Sequence, residues 1–261
     1  MNVTEERKAR RSRLCGLQCL PVLLASGLLA SGLLGGCQSA ASPSALDPQG
    51  PGAARIASLW WILLAAGSAI FVLVMVLLAV ALLRRSDRAT LHAPAGGTRM
   101  ILLGGVAMPI VVLSGVLALT VNTLLALSAP AANDEIVVEV IGHQFWWEVR
   151  YPGHNVLTAN EIHIPAGTPV RVRLASQDVI HSFWVPELHG KLDMIPGQTN
   201  TLWLQADRPG VFKGVCAEFC GVQHAKMTFL VIAQPQAEFA AWIAQQQRPA
   251  MLPIEPIAQR G

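Results

Sequence analysis

A two-helix membrane hairpin carrying an all-β domain is the fold class this sequence predicts, on three observations. Hydrophobic residues fill 52% of the 261 positions and charged residues only 13%, which is more apolar and less charged than one soluble domain needs. Two long segments, residues 56–83 and 100–127, carry no charged side chain at all. Beyond residue 135 the pattern changes to short β-branched and aromatic runs separated by turn residues, the mark of strands in a sandwich or barrel.

The elements follow in order. Residues 1–36 read as an export signal, with a basic stretch Lys8 to Arg13, an apolar stretch from about Leu20 to Leu34, and small residues at its end. Leu34, Gly35, Gly36 and Cys37 resemble the bacterial lipobox, so Cys37 is expected to be the lipidated first residue of the mature chain. Cys15 and Cys19 leave with the signal, and Cys216 and Cys220 are the two cysteines available for chemistry. Residues 37–55, rich in Ser, Ala, Pro and Gly, have the composition of a flexible tether. The apolar segment 56–83 would be roughly 40 Å long as a helix, ample for a bilayer.

The loop 84–99 holds Arg84, Arg85, Arg88 and Arg99 against Asp87, and short arginine-rich loops stay cytoplasmic. Both ends of the hairpin therefore face outward. Trp60 and Trp61 suit an interfacial aromatic belt, and lipid-facing packing explains them equally well. Residues 128–235 form the β domain, in which no βαβ unit is visible. Residues 236–261 read as a short amphipathic helix and a tail with three prolines.

The chemistry concentrates in CAEFCGVQHAKM, where Cys216, Cys220, His224 and Met227 place two thiolates, an imidazole and a thioether in one short window. That donor set selects copper, whereas structural zinc would want four strong ligands and no methionine. His181, opening the strand-like run HSFWVP, is the best further ligand. Two cysteines exceed the one-cysteine set of a mononuclear blue-copper site, and the surplus thiolate suggests two coppers bridged by both sulfurs.

A distant histidine followed by Cys-x3-Cys-x3-His-x2-Met resembles the dinuclear copper motif of cytochrome c oxidase subunit II. GHQFWWEVRY (Gly142 to Tyr151), SQDVIHSFWVPEL (Ser176 to Leu188), GKLDMIPGQ (Gly190 to Gln198) and the lipoprotein-plus-hairpin layout are also similar to that family, over roughly residues 45–235. The resemblance implies a cupredoxin-type Greek-key sandwich on the periplasmic side of a bacterial inner membrane. Cys216 and Cys220 would bridge two copper ions, His181 and His224 would each bind one, and Met227 and the backbone carbonyl of Glu218 would be weaker ligands. The Glu218 carboxylate would serve a magnesium ion shared with subunit I. Electrons would arrive from cytochrome c and leave for haem in subunit I, where oxygen is reduced to water with proton pumping, so the oxygen chemistry lies outside this chain.

The family usually has tryptophan directly after the glutamine of GHQFWWEVRY, where electrons enter, and here that residue is Phe145. Either Phe145 and its neighbour Trp146 serve instead, or the donor and its docking surface differ. Trp147 reads as a packing residue. Residues 133–234 carry ten acidic and seven basic side chains, a net −3 within a chain of net +3. A mildly acidic face suits a basic cytochrome c, although scattered solvated charge reads the same way. No basic stripe suggests nucleic acid.

Other classes fit less well. A membrane-tethered thiol or copper chaperone would have a thioredoxin-like βαβ fold, and a plain Cys216–Cys220 disulfide would leave the His and Met spacing unexplained. A quinol oxidase subunit usually lacks the copper ligands, and nitrous oxide reductase adds a propeller domain and has no hairpin. No Cys-x2-Cys-His is present, so no fused c-type haem is expected. His92, His143, His154, His163 and His189 lack ligand partners at useful spacing.

Overall fold

A computed structural model describes residues 43–83, 97–128 and 136–248. The expected signal 1–36, Cys37, most of the arginine-rich loop and the proline-rich tail lie outside the described residues.

Helix α1 spans Pro51–Leu83 and helix α2 spans Gly97–Ser128, both long and apolar enough to cross a membrane. Each exposes an almost continuous apolar surface, which only lipid or other protein would cover without cost. A π-helical turn, Leu103–Ala107, interrupts α2 just before Pro109, where proline cannot donate the usual backbone bond. Arg55 of α1 donates through Nη1 to the Ala126 carbonyl near the end of α2 at 2.7 Å.

Helix α1 begins five residues earlier than expected, so residues 51–55, read as tether, are helical. Pro51 occupies the first helical position, where its missing N–H costs nothing. The preceding strap is fastened to the β domain: Gln49 N–H donates to Glu187 O (2.7 Å), Asp207 N–H to Gln49 O (2.9 Å) and Ala53 N–H to Leu188 O (2.9 Å). The glycines that suggested flexibility allow close approach instead. A Cβ on Gly50 would stand 2.1 Å from Gln205 O.

The β domain is a sandwich of two five-stranded sheets. Its strands are β1 (Val137–His143), β2 (Trp146–Tyr151), β3 (Val156–Ala159), β4 (Glu161–Pro165), β5 (Val170–Ser176), β6 (His181–Trp184), β7 (Leu192–Met194), β8 (Asn200–Leu204), β9 (Gly210–Cys216) and β10 (Thr228–Gln234). One sheet runs β3-β2-β1-β5-β8 and the other β4-β10-β9-β6-β7. The pairs β1–β5 and β4–β10 are parallel, and the remaining pairs antiparallel.

Alternation in sequence becomes alternation in burial. Along β1 every second residue points inward, and β10 follows the same pattern with Phe229, Val231 and Ala233 buried. Val138, Val140, Val149, Ile162, Ile164, Val172, Leu174, Phe183 and Val231 fill the space between the sheets. Each such side chain stabilises the sandwich by about 1.5–3 kcal/mol. Helix α3 (Gln236–Gln246) closes one end by burying Phe239 and Ile243, and its Trp242 stacks on His163 at 3.9 Å.

Candidate metal centre

The register of the second sheet assembles the site. Pairing of β6 with β9 places Phe183 opposite Cys216, which leaves His181 at the start of one strand near Cys216 at the end of the other. The loop after Cys216 turns back on itself: Ala217 N–H donates to Ser182 O (2.9 Å), and Cys216 N–H to Met227 O (3.0 Å). A 3-10 turn at His224–Lys226 completes it. Three-residue gaps between Cys216, Cys220 and His224 are what let this short loop aim all three inward.

All five side chains converge. The two sulfurs lie 3.9 Å apart, Cys216 Sγ is 3.8 Å from His181 Nδ1, Cys220 Sγ is 3.6 Å from His224 Nδ1, and Cys220 Sγ is 3.7 Å from Met227 Sδ. The Glu218 carbonyl accepts from Cys216 Sγ at 3.2 Å, while the Glu218 side chain is exposed. Both cysteines are free and buried, and His181 and Met227 are closed to solvent. Among the described residues, His181, Cys216 and Cys220 form the one group of three whose ligand atoms could hold a metal ion.

The spacings fit a soft cation. A disulfide would need sulfurs about 2.05 Å apart. A shared metal, with bonds of about 2.3 Å to sulfur and about 2.0 Å to imidazole nitrogen, spans up to roughly 4.3–4.6 Å between ligand atoms, and every separation above falls inside that reach.

Charge points the same way. Burial alone would raise the Cys216 thiol, but hydrogen bonding with His181, and then with the backbone at Ser182 and Glu218, favours the thiolate and brings it well below the usual thiol range. Cys220 is raised, first by burial and then by the Cys216 charge. One thiolate is therefore easily held and a second is opposed, which is the imbalance a cation between them removes.

Asp178 orients the buried histidine. Its Oδ1 accepts from His181 Nε2 at 2.8 Å, so Nε2 carries a proton and Nδ1 is the ring nitrogen turned toward Cys216. Gly142 lies against the same ring, where a Cβ would be 2.8 Å from His181 Cδ2. Beneath it Trp147, fully buried, packs with Phe183 and Phe229 at 6.2 and 5.0 Å, which agrees with its reading as a packing residue.

Phe145 is half-buried beside the cysteine loop, close enough that a Cβ on Gly221 would be 3.0 Å from its ring. Trp146 is exposed and stacks on His143 at 4.5 Å. Sequence reasoning missed two neighbours of the site, Asp178 and Gln144. An acid three residues before a candidate ligand histidine was a usable signal for Asp178. Nothing local marks Gln144, whose contacts lie far along the chain.

Known proteins decide the family. The model for cytochrome c oxidase subunit II, periplasmic domain, matches residues 154–234. Over 236 residues the chain is 35% identical to cytochrome c oxidase subunit 2 of Alkalihalophilus pseudofirmus, covering 87% of this chain and 69% of that one. The chain belongs to the cytochrome c oxidase subunit II family. It is thus a subunit of the haem–copper oxidase type, and its two sheets are the family's cupredoxin-like sandwich behind a pair of helices able to cross a membrane. It is also 30% identical to quinol oxidase subunit 2 of Bacillus spizizenii, over 88% of this chain and 74% of that one. The solved periplasmic domain of subunit II (CoxB) of Bradyrhizobium japonicum matches with a TM-score of 0.43 at 30% identity, over 45% of this chain and 96% of that one.

Proposed function

We propose that this subunit accepts electrons from cytochrome c at a dinuclear copper centre and passes them to haem in subunit I, where oxygen is reduced to water with proton pumping. The observation that carries this is the convergence of two free buried thiols, 3.9 Å apart, with one histidine Nδ1 facing each sulfur. In this reading Cys216, Cys220, His181 and His224 would hold two coppers, with Met227 and the Glu218 carbonyl as weaker ligands. Bound copper would supply a one-electron couple shared by two metals.

The chain's own residues do the rest. The sandwich fixes Cys216 and His181 on paired strands, so the donors need little rearrangement on a change of charge. Asp178 keeps the Nε2 proton of His181 and frees Nδ1 for the metal. Phe145, between solvent and the Cys220–Gly221 backbone, and Trp146 on the surface form the aromatic path for electrons arriving from outside. The exposed Glu218 carboxylate suits a magnesium ion whose other ligands come from subunit I. The arginine-rich loop supports a periplasmic sandwich at the inner membrane, and in this reading Cys37 is a lipid anchor. A quinol donor would not need the soft donor set that this chain retains.

The test is copper analysis with electron paramagnetic resonance on the purified, copper-loaded chain. Two coppers per chain sharing one unpaired electron, lost in both Cys216→Ser and Cys220→Ser, is the expected result. A single copper, or thiols that bind none, would sink the proposal. Phe145→Ala should slow reduction by cytochrome c while leaving the copper spectrum unchanged; an unchanged rate would remove Phe145 from the path.

A further inference from the structure

Gln144 touches both halves of the metal pocket from a third element. It sits in the turn between β1 and β2, remote in sequence from every candidate ligand. Its backbone N–H donates to Asp178 Oδ2 at 2.7 Å, and the other oxygen of that carboxylate holds His181 Nε2 at 2.8 Å. Its side-chain Nε2 donates to the Cys220 carbonyl at 2.6 Å. One residue therefore ties the histidine-bearing segment to the second cysteine. The contact depends on glycine at the next position: a Cβ on Gly221, whose φ is +133°, would come within 3.0 Å of Gln144 Nε2.

We infer that Gln144 is a positioning residue, a two-ended clamp that sets the Cys216–Cys220 separation and the approach of His181 before any metal arrives. The bond to the Cys220 carbonyl ties the loop to the β1–β2 turn. Without it the loop's hydrogen bonds to the strands, among the described residues, are those at its ends, Ala217 to Ser182 and Cys216 to Met227, and Cys220 gains freedom to swing toward Cys216. Gln144 is itself exposed, so removing its side chain leaves no cavity in the core. Its role separates from folding for that reason.

The experiment uses the full chain in detergent, as Gln144→Ala and as the isosteric Gln144→Glu at pH 8, where the carboxylate cannot donate. The first readout needs no metal: the rate at which oxidised dithiothreitol converts Cys216 and Cys220 to a disulfide. Both variants should oxidise several-fold faster than the wild type. The second readout, which alone rests on the copper reading, is loss of copper to a chelator, with the visible absorption and midpoint potential of the loaded chain. Copper should leave about tenfold faster, with a displaced absorption band and potential. Oxidation rates equal to wild type in both variants would overturn the clamp. Faster oxidation in a chain that never takes copper would leave the clamp standing and defeat the copper proposal instead.

Discussion

Tyr151 holds its hydroxyl between two groups of one residue, donating to His163 O at 2.9 Å and accepting from His163 N–H at 2.7 Å. Burial and the loss of solvation push its phenol far above the ordinary range, so it remains a neutral donor. Tyr151→Phe would strand a buried amide and should destabilise the sandwich by about 1–3 kcal/mol, readable as a lower midpoint in calorimetry with copper loading retained. Gly142 makes the opposite case. Its missing Cβ is the space that the His181 ring occupies, so Gly142→Ala should reduce copper occupancy, by metal analysis, more than it reduces thermal stability. Both residues are buried in the same sandwich, yet one supports the fold and the other supports the site.

Among elements, the strap before α1 and the cysteine loop show what a sequence can and cannot disclose. The convergence of the cysteine loop was legible because its candidate donors follow one another at short intervals and their chemistry is unusual as a set. His181 was legible as the opening residue of an apolar strand. The strap was not: glycine and proline there read as loose chain, whereas Gly50 and Gly52 are small because Gln205 O and the His189 ring approach them, to 2.1 and 2.4 Å of where a Cβ would stand. Composition cannot distinguish freedom from tight contact when the partner lies far along the chain. Gln144 escaped for the same reason. Gly50→Ala should unseat the strap and expose the segment near residue 50 to proteolysis, while copper spectra stay unchanged; equal protease resistance would show that the strap bonds do not hold α1 to the domain.

At the scale of the whole molecule, the net −3 of residues 133–234 would give the proposed basic donor a long-range attraction that salt screens. Reduction by cytochrome c should therefore slow as ionic strength rises, and a salt-independent rate would assign docking to apolar contact around exposed Phe219 and Val222. The hairpin and the two-layer domain were both legible from periodicity, but the pairing of strands was not, since β4 finds its neighbour in β10. That pairing bears on how the protein is made. A chain emerging N-terminus first presents both thiols before Thr228–Gln234 exists, and until that segment arrives β4 has no neighbour and Met227 no strand behind it. The pocket is thus complete only once Thr228–Gln234 has joined the sheet. If the pocket takes copper as proposed, loading would be a late event in the making of the chain, after both thiols have been formed and only once the last strand stands behind Met227.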